Sequence, residues 1–443
     1  MHVAQFVQRY PPALGGSELY TARLCEYLAR RGDRVSVWTS TAVELSEMWA
    51  KRPTPQPPPC REGEQGMDDP LSLNGAPSSC SPSLQGGGWG VGLTRYAPLH
   101  FPARRYALKA LSLLPLRRWQ CLTTPCNPVC PAMWRDAGRY AGPLDAVHAT
   151  AFPYSFPITC ALRLAKSRKV PFLLTPFLHL GDPADPRDRT RAQYTSPHLC
   201  WLLTQADRVF VQTRAERDTA LSFGVPRDKV VLQGLGVDAN ECTGGNRDAM
   251  RDACGFAGED VVVGHLANNS AEKGTVDLLR AAERAWACGH RFRVVLAGPE
   301  MPNFRTFWET FSPKDRVTRL GVLSEQQKRD FFAGIDAFAL PSRSDSFGLV
   351  LLEAWANAKP NLVYRAGGPG ELVCHERDGL QAACGDVAGL AAQLGRLAAV
   401  ADLRRTLGEN GKARVGAEFR WDEKLELVRE TMREAADFGA ISG

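Results

Sequence analysis

Long apolar segments are missing from this sequence. No run approaches the roughly 18 apolar residues that a membrane-spanning helix needs. The first residues, MHVAQFVQRYPP, show no basic region followed by an apolar one, so we expect no signal peptide. Charge is nearly balanced, since 54 basic and 48 acidic residues give a net charge of +6. Without a dense Lys/Arg run interleaved with aromatics, we expect no nucleic-acid partner.

Paired cysteines are also missing, although the chain has thirteen cysteines. They form no CxxC pair, and the tightest cluster, Cys121, Cys126 and Cys130, fits no usual zinc spacing. An odd, scattered set of this kind is typical of free thiols in a reducing compartment. We therefore expect a cytoplasmic protein without a metal site, of ordinary globular composition at 44% hydrophobic and 23% charged residues.

The first half of the chain opens with a strand–turn–helix–strand pattern. An alternating strand over 3–7 precedes a turn that contains Gly15 and Gly16. A helix with an apolar stripe of Tyr20, Leu24 and Leu28 follows, and RVSVWTS predicts the next strand. This is a βαβ unit, whose parallel strands bring the glycine turn to a ligand-binding edge. Further strands are predicted at LDAVHAT, VPFLLTPF and DRVFVQT.

Two segments interrupt this first half. Residues 52–92 are rich in proline and glycine, which predicts a flexible insertion in a loop rather than a recognition arm. The stretch FPARRYALKALSLLPLRRW mixes basic residues with leucines. It fits either a segment lying on an anionic membrane surface or a packed helix with a solvated basic face.

The second half alternates regularly between strands and helices. A polar, glycine-bearing linker, ANECTGGNRDAM, separates the halves, and SEQQKRDFFAGI predicts a helix that begins with a capping box. We predict an α/β fold with two Rossmann-like, doubly wound parallel-sheet domains facing across a cleft. The expected domains are 1–240 and 241–420, followed by a C-terminal helix over 421–443 that packs back on the first domain.

Two carboxylates flank an apolar run in PSRSDSFGLVLLEAWANAKP. In one continuous helix, Asp345 and Glu353 would lie about 12 Å apart along the axis. However, AFALPS predicts a strand and LVLLEAWANA a helix, which places Asp345 in the connecting loop. Both carboxylates can then face one cleft, with the backbone N–H groups of Ser346, Phe347 and Gly348 between them. A phosphate-bearing polyhydroxyl ligand would use all of these groups. The alternative makes Asp345 an N-cap and Glu353 a surface charge.

Two further loops follow strands of the same predicted sheet. HLANNSAEKGT presents Lys273 beside Gly274, and YRAGGPGELV places Gly367 and Gly368 after a third strand. Because the carboxyl ends of parallel strands meet at one edge, we expect the three loops to lie together. This grouping favours a ligand site there.

With these motifs in place, the chain resembles the retaining glycosyltransferases of the GT-B superfamily, family four. The resemblance covers most of the chain and rests on three segments and the closing RWDEKL: LGGSELYTARLCEYLARRGDRVSVWT, EKGTVDLLRAA and GIDAFALPSRSDSFGLVLLEAWANAKP. Only the insertion over 52–92 has no counterpart in that family.

The resemblance implies a role for each site residue. Glu353 would hold the ribose hydroxyls of a nucleotide-diphosphate sugar, and Asp345 would contact the transferred sugar. Lys273 would neutralise the pyrophosphate, while Gly15 and Gly16 would let the N-terminal turn approach it. No metal or other cofactor is implied. The departing diphosphate gathers negative charge, which Lys273 would stabilise, and the acceptor would attack from the same face, with retention of configuration.

Two positions depart from the family pattern. The family has an arginine where this chain has His265, which carries full charge only when protonated. Asp345 replaces a glutamate, which shortens the reach by about 1.5 Å. The family's acceptor-side histidine is expected near Phe177, so His179 is the candidate, with a purely structural histidine as the alternative.

The expected function is sugar transfer from a nucleotide-diphosphate donor to a saccharide or lipid-linked acceptor, in cell-surface polysaccharide or lipopolysaccharide assembly. The resemblance places such an enzyme in the cytoplasm, at the inner face of an anionic cell membrane. Two alternatives stay open: a nucleotide-sugar epimerase of GT-B architecture, and a non-catalytic protein that only binds nucleotide sugars.

Overall fold

The computed structural model describes residues 1–13, 15–48, 91–182, 185 and 188–442. The chain divides into two compact units, one of Met1–Ala149 with Tyr154–Val170 and the other of Thr150–Pro153 with Pro171–Gly443. All strands of the described residues belong to two parallel sheets. The expected domain boundaries near residues 240 and 420 stay predictions.

The described strands are β1 His2–Phe6, β2 Arg34–Ser40, β3 Val91–Tyr96, β4 Ala146–Thr150, β5 Phe172–Thr175, β6 Arg208–Val211, β7 Val230–Leu232, β8 Val262–Leu266, β9 Arg293–Ala297, β10 Val317–Gly321, β11 Ala337–Leu340, β12 Asn361–Tyr364 and β13 Gly379–Ala382. The described helices are α1 Gly16–Arg30, α2 Arg104–Leu111, α3 Arg117–Thr123, α4 Pro131–Arg139, α5 Ser155–Arg168, α6 Thr190–Tyr194, α7 Pro197–Thr204, α8 Arg214–Ser222, α9 Ala239–Cys242, α10 Arg247–Ala253, α11 Thr275–Ala287, α12 Pro302–Thr310, α13 Glu325–Gly334, α14 Leu349–Ala356, α15 Gly367–Leu372, α16 Val387–Ala399, α17 Ala401–Glu418 and α18 Trp421–Ser442.

The first sheet has seven strands in the order β3-β2-β1-β4-β5-β6-β7. The chain builds outward from β1 to β3 and then returns to β4 on the other side of β1. The predicted stripe of α1 is confirmed, because Tyr20, Leu24 and Leu28 are completely buried. Every residue of β1 is buried too, as expected for a central strand covered on both faces.

The second sheet has six strands in the order β10-β9-β8-β11-β12-β13. Here the order reverses between β8 and β11, which pair directly through Ala337↔Val263 and Phe338↔Gly264. Its apolar core includes Leu278, Leu296 and Leu362, all fully buried. The predicted fold class, two doubly wound parallel-sheet α/β modules, is confirmed.

Strand β3 corrects the expected extent of the insertion. Its first residues, Val91 and Gly92, pair with Val35 and Ser36 of β2, so the expected segment 52–92 ends too late by two residues. Their alternating pattern was hidden by the neighbouring glycines. The remainder of that segment lies outside the described residues.

Three other segments also differ from expectation. The basic stretch after β3 forms two helices, α2 and α3, separated by residues 112–116, rather than one packed helix. The linker between the halves contains helices α9 and α10, each begun by a side-chain cap from Asp238 or Asn246. Helix α12 was not predicted. The capping box of α13, between Ser324 and Gln327, is confirmed. Within the described ranges, no helix is both long enough and apolar enough to cross a bilayer.

Candidate active site

The candidate site lies where the strand order of the second sheet reverses. Strands β8 and β11 are neighbours, and the loops over 267–274 and 341–348 leave their carboxyl ends. Strand β12 lies next to β11 and leads into Gly367 at the same edge. The predicted grouping of three loops is therefore confirmed. Doubly wound sheets bind ligands at such a reversal, because the two loops diverge there and leave a crevice.

Lys273 and Asp345 meet across this crevice edge. The Lys273 Nζ lies 2.6 Å from the Asp345 Oδ2, and the two side chains are only 24% and 16% exposed. Burial alone would raise the pKa of the Asp345 carboxyl, but the Lys273 ammonium and the His179 ring hold that pKa below its usual range. Asp345 is therefore a carboxylate at neutral pH, beside a cation.

Gly274 sets the path of the Lys273 loop. Its φ of +76° lies in the left-handed region, and a Cβ at this position would overlap the carbonyl oxygen of Pro341. Both features demand glycine. The loop of β8 thus presses directly on the start of the loop of β11, which brings Lys273 within reach of Asp345.

The Asp345 loop leads into α14 without a side-chain cap. The N-cap of α14 is Gly348, at a φ of +89°, so the alternative that Asp345 caps this helix is excluded. Instead, Asp345 Oδ1 accepts a hydrogen bond of 3.3 Å from the N–H of Phe347. The N–H groups of Ser346 and Gly348 donate to no described residue. Those two N–H groups are available for an anionic ligand at the positive end of the helix dipole.

Gly367 and Gly368 support this loop from behind. The N–H of Gly368 donates to the Asp345 carbonyl at 2.9 Å. A Cβ on Gly368 would overlap the carbonyl oxygen of Ser346, and one on Gly367 would come within 2.6 Å of the Asp345 carbonyl oxygen. These glycines therefore permit two backbones to touch, which is a packing role behind the site.

Glu353 lies one turn inside α14 and faces a lysine from another helix. Its Oε1 accepts a hydrogen bond of 2.9 Å from the Nζ of Lys328 in α13. Its Oε2 is buried and has no hydrogen-bond partner among the described residues. Burial raises the pKa of the Glu353 carboxyl despite the nearby ammonium. Glu353 is therefore not a surface charge, and one of its oxygens can still accept a hydrogen bond from a hydroxyl group.

The structure places His179 beside the ion pair of Lys273 and Asp345. The Lys273 cation, the Asp345 carboxylate and the backbone of Ser344 all influence the pKa of the ring, which lies tilted against the Tyr194 ring at 4.7 Å between centroids. Burial and the Lys273 cation lower the pKa of His179 to about 4, so the ring is neutral near pH 7. Sequence reasoning thus selected a histidine that does reach the candidate site.

An arginine links the His179 segment to the Asp345 loop. Arg343 Nη2 lies 2.7 Å from Asp277 Oδ2, and its Nη1 lies 3.2 Å from Asp182 Oδ2. The hydroxyl of Tyr364 also donates to Asp277, at 3.2 Å. These bonds tie the segment after β5 to the loop after β11 and orient the residues that face the crevice.

His265, expected to contact the donor, is completely buried in β8. Its Nδ1 lies 2.8 Å from the carbonyl oxygen of Ala339, and its Nε2 lies 2.9 Å from the Thr275 hydroxyl. Because a carbonyl only accepts, Nδ1 carries the proton and Nε2 accepts from Thr275. Thr275 in turn receives the N–H of Ser270. The geometry therefore favours a structural role for His265, and its contact with a donor stays a prediction.

Gly15 and Gly16 lie at the N-terminus of α1 in the first unit. A buried ion pair supports their turn, with Arg9 Nη2 2.7 Å from Glu18 Oε1. A Cβ on Gly15 would collide with the Glu18 carboxylate, whereas Gly16 faces open space. Glycine is therefore required at position 15, and the contact of Gly15 and Gly16 with a donor stays a prediction.

Sequence reasoning missed two basic residues of this region, Lys328 and Arg343. Lys328 belongs to an ordinary amphipathic helix, and no local pattern indicates that it points at Glu353. Arg343 stands two residues before Asp345 in the quoted loop, and that position was the only available signal. In both cases the partner carboxylate comes from a distant part of the chain.

Taken together, the two reversed parallel sheets and the crevice loops define the GT-B class of glycosyltransferase folds. The sequence profile described as "Glycosyl transferase 4-like domain" matches residues 15–236, and the profile "Glycosyl transferases group 1" matches residues 246–414. The chain therefore belongs to the group 1, family-four glycosyltransferases.

Among curated proteins, the chain is similar to D-inositol 3-phosphate glycosyltransferase of Saccharomonospora viridis, with 29% identity over 57% of this chain and 61% of that protein. It is also similar to the lipopolysaccharide core biosynthesis glycosyltransferase LpsD of Rhizobium meliloti, with 31% identity over 36% of this chain and 45% of that protein. The matched region thus spans about half the length of these relatives.

Among solved structures, sucrose-phosphate synthase of Thermosynechococcus elongatus superposes with a TM-score of 0.69 over 98% of both chains, at 20% identity. HepE of Anabaena, in complex with UDP-glucose, gives a TM-score of 0.66 over 98% of this chain and 100% of that chain, at 18% identity. At such identities the likeness shows the shared fold alone.

Proposed function

We propose that this protein transfers a sugar from a nucleotide-diphosphate donor to a saccharide or lipid-linked acceptor, with retention of anomeric configuration. One observation carries the proposal: Lys273 and Asp345 meet at 2.6 Å where the strand order reverses, in a chain of the glycosyltransferase family. A cation beside a carboxylate suits a nucleotide sugar, because the cation can face the diphosphate and the carboxylate can face the hydroxyl groups of the adjoining sugar.

Lys273 is the proposed stabiliser of the leaving group. As the bond from the sugar to the diphosphate breaks, negative charge builds on the diphosphate and carbocation character builds on the sugar. An ammonium close to the diphosphate lowers the energy of that transition state more than that of the bound substrate. The unpartnered N–H groups of Ser346 and Gly348 would add to this effect. Because protein groups supply this positive charge, we propose that transfer needs no metal ion.

Asp345 and Glu353 are the proposed contacts for hydroxyl groups. Asp345 stays ionised beside Lys273 and would accept hydrogen bonds from the transferred sugar. The unpartnered Oε2 of Glu353 would accept one from the ribose. His179, neutral near pH 7, would orient the sugar or the attacking acceptor hydroxyl. No protein nucleophile is required in this scheme, since the acceptor attacks from the leaving-group face.

The proposed setting is the cytoplasmic face of a membrane during assembly of cell-surface polysaccharide or lipopolysaccharide. Disulfides join none of the eleven cysteines among the described residues, which supports a reducing compartment. The resemblance in sequence to LpsD, named for lipopolysaccharide core biosynthesis, supports this pathway class.

A donor screen followed by product analysis tests the proposal. Thermal shifts with UDP, GDP and ADP sugars identify the donor, and UDP-glucose is the first to try because HepE was solved with it. Incubation with acceptors should then yield a glycoside of retained configuration by NMR, equally in the presence of EDTA. Epimerised nucleotide sugar formed without acceptor would identify an epimerase instead. Binding without hydrolysis or transfer of any nucleotide sugar would identify a non-catalytic binding protein.

A further inference from the structure

Exposed apolar side chains are concentrated in one short segment of the first unit. Thirteen large apolar side chains of the described residues are exposed, and eight of them lie between residues 99 and 119. Those eight are Leu99, Phe101, Tyr106, Leu111, Leu113, Leu114, Leu116 and Trp119. We call residues 99–123, which contain α2, α3 and the turn between them, the basic hairpin. Such a concentration of exposed apolar side chains on a folded protein marks a candidate interaction surface.

The basic hairpin is held in shape by its own hydrogen bonds. The Trp119 indole N–H donates to the Leu111 carbonyl at 3.0 Å, and the Gln120 side chain donates to the Ser112 carbonyl at 3.1 Å. On the inner face, Arg104 and Leu108, one turn apart, are buried. The apolar turn is therefore ordered while it projects outward: Leu113 is 78% exposed.

Positive charge surrounds these apolar side chains. Arg105, Lys109, Arg117 and Arg118 are all exposed residues of the basic hairpin. The sequence contains no acidic residue between Asp69 and Asp136. The hairpin thus combines leucines, aromatic rings and cations without any compensating carboxylate of its own.

We infer that the basic hairpin docks on an anionic lipid bilayer. Leucines of the turn would enter the acyl boundary, the rings of Tyr106 and Trp119 would lie at headgroup level, and the cations would face lipid phosphates. Each basic residue near such a surface adds to the attraction. A second copy of this chain is a poorer partner, because a symmetric contact would place like charges against each other.

This inference names the membrane partner of the proposed function, yet it rests on surface chemistry alone. It would bring the protein to the surface that carries a lipid-linked acceptor. Its test therefore measures lipid binding of the full chain without any donor, so that failure of the proposed reaction and failure of membrane docking are separate results.

Vesicle co-sedimentation tests the inference with two kinds of lipid. The protein should sediment with vesicles of phosphatidylcholine mixed with phosphatidylglycerol, and not with phosphatidylcholine alone. Raising salt from about 0.1 M to 1 M should weaken binding, because screening shortens the range of the charge interaction. The double variants Leu113→Gln/Leu116→Gln and Lys109→Gln/Arg117→Gln should each weaken binding at least about tenfold, which corresponds to about 1.4 kcal/mol.

The matched control is Val400→Gln/Lys412→Gln, which changes one exposed apolar and one exposed basic residue on the second unit. It should bind like the unmodified protein, and all variants should keep its melting temperature, since every changed side chain is exposed. Equal binding by the hairpin variants, or no binding to anionic vesicles, would overturn the inference. So would a dimer in solution that Leu113→Gln/Leu116→Gln converts to a monomer, because it would assign the surface to a second copy.

Discussion

The Nζ of Lys328 in α13 lies 2.9 Å from the Oε1 of Glu353 in α14, and both side chains are at least four-fifths buried. Burial by itself would lower the pKa of Lys328, yet Glu353 and Glu325 raise that pKa above its usual value. The Lys328 ammonium therefore offsets part of the cost of burying the Glu353 carboxylate, although burial still leaves the pKa of Glu353 above its usual value.

Replacing Lys328 should destabilise the protein in a pH-dependent way. In Lys328→Met the Glu353 carboxylate loses its cation, and we expect a loss of about 1–3 kcal/mol in unfolding free energy. A carboxyl whose folded-state pKa is raised holds its proton more tightly in the folded state, so stability falls as pH rises above about 4.5. Urea unfolding should therefore show a larger deficit at pH 8 than at pH 5.

Glu325→Ala is the matched control for this experiment. Glu325 approaches the same ammonium at 3.3 Å but is 78% exposed, so its loss should change stability by less than about 0.5 kcal/mol. A pH-independent deficit in Lys328→Met would show that Glu353 does not depend on Lys328 for its charge.

Removing the Lys273 ammonium should abolish most turnover while the fold persists. We expect Lys273→Ala to lower kcat about 100–1,000-fold, as loss of one group that stabilises transition-state charge usually does. Lys273→Arg keeps the charge and should retain part of the activity. Circular dichroism should be unchanged in both variants, and Lys412→Ala, at an exposed lysine of α17, should behave as wild type. Near-normal turnover of Lys273→Ala would remove the proposed mechanism.

A comparison of two glycine variants can separate the cost of backbone strain from the cost of lack of space at Gly274 in the Lys273 loop. Gly274 and Gly289 have φ values of +76° and +88°, but only Gly274 faces another backbone, at Pro341. We expect Gly289→Ala to cost about 1 kcal/mol from φ alone. Gly274→Ala should cost about 2–4 kcal/mol, because the loop must also move away from Pro341, and it should weaken donor binding. If the two variants lost the same stability in thermal unfolding, the Lys273 loop would move away from Pro341 at no extra cost in free energy.

His265 should make stability fall in mild acid. Burial lowers the pKa of His265 to about 4, so between pH 6.5 and 4 the unfolded chain binds a proton that the folded chain refuses. Stability therefore decreases as pH falls through this range, by up to about 1.4 kcal/mol per pH unit for this one group. His265→Asn should reduce that slope in urea unfolding at pH 7, 6 and 5.

The control for this measurement is His375→Asn, at a partly exposed histidine near β13. If His265→Asn showed the wild-type slope, another group would carry the acid sensitivity. His148, also completely buried and bonded to Gln5, with its pKa lowered by burial to about 3, would be the next histidine to change.

Local sequence predicted the elements of the site well. The strand–loop–helix order around Asp345 follows from AFALPS and LVLLEAWANA, and it correctly placed Glu353 within a helix. The glycine-bearing loops beside Lys273 and after β12 do lie at one edge of the sheet, although their glycines face protein backbone. These predictions succeed because apolar periodicity, capping residues and glycine requirements act over a few residues.

Other features could not be predicted from local sequence, for a physical reason. The strand over Val91–Tyr96 was masked by its glycine-rich neighbours, and only pairing with β2 makes it a strand. His265 could replace an arginine by sequence, but its two ring bonds are determined by Ala339 and Thr275. Both the pairing of this strand and the hydrogen bonds of His265 depend on residues from other segments of the chain, which are adjacent only in the folded protein.

The sequence by itself determined the alternation of strands and helices, the doubly wound class, and the identity of the charged groups at the strand ends. Tertiary structure alone decided which of these groups meet. Lys273 reaches Asp345 because β8 and β11 are neighbours at the reversal of strand order, although the two residues are 72 positions apart. Strand order and helix packing arise from long-range burial of apolar surface, which no local pattern of residues encodes.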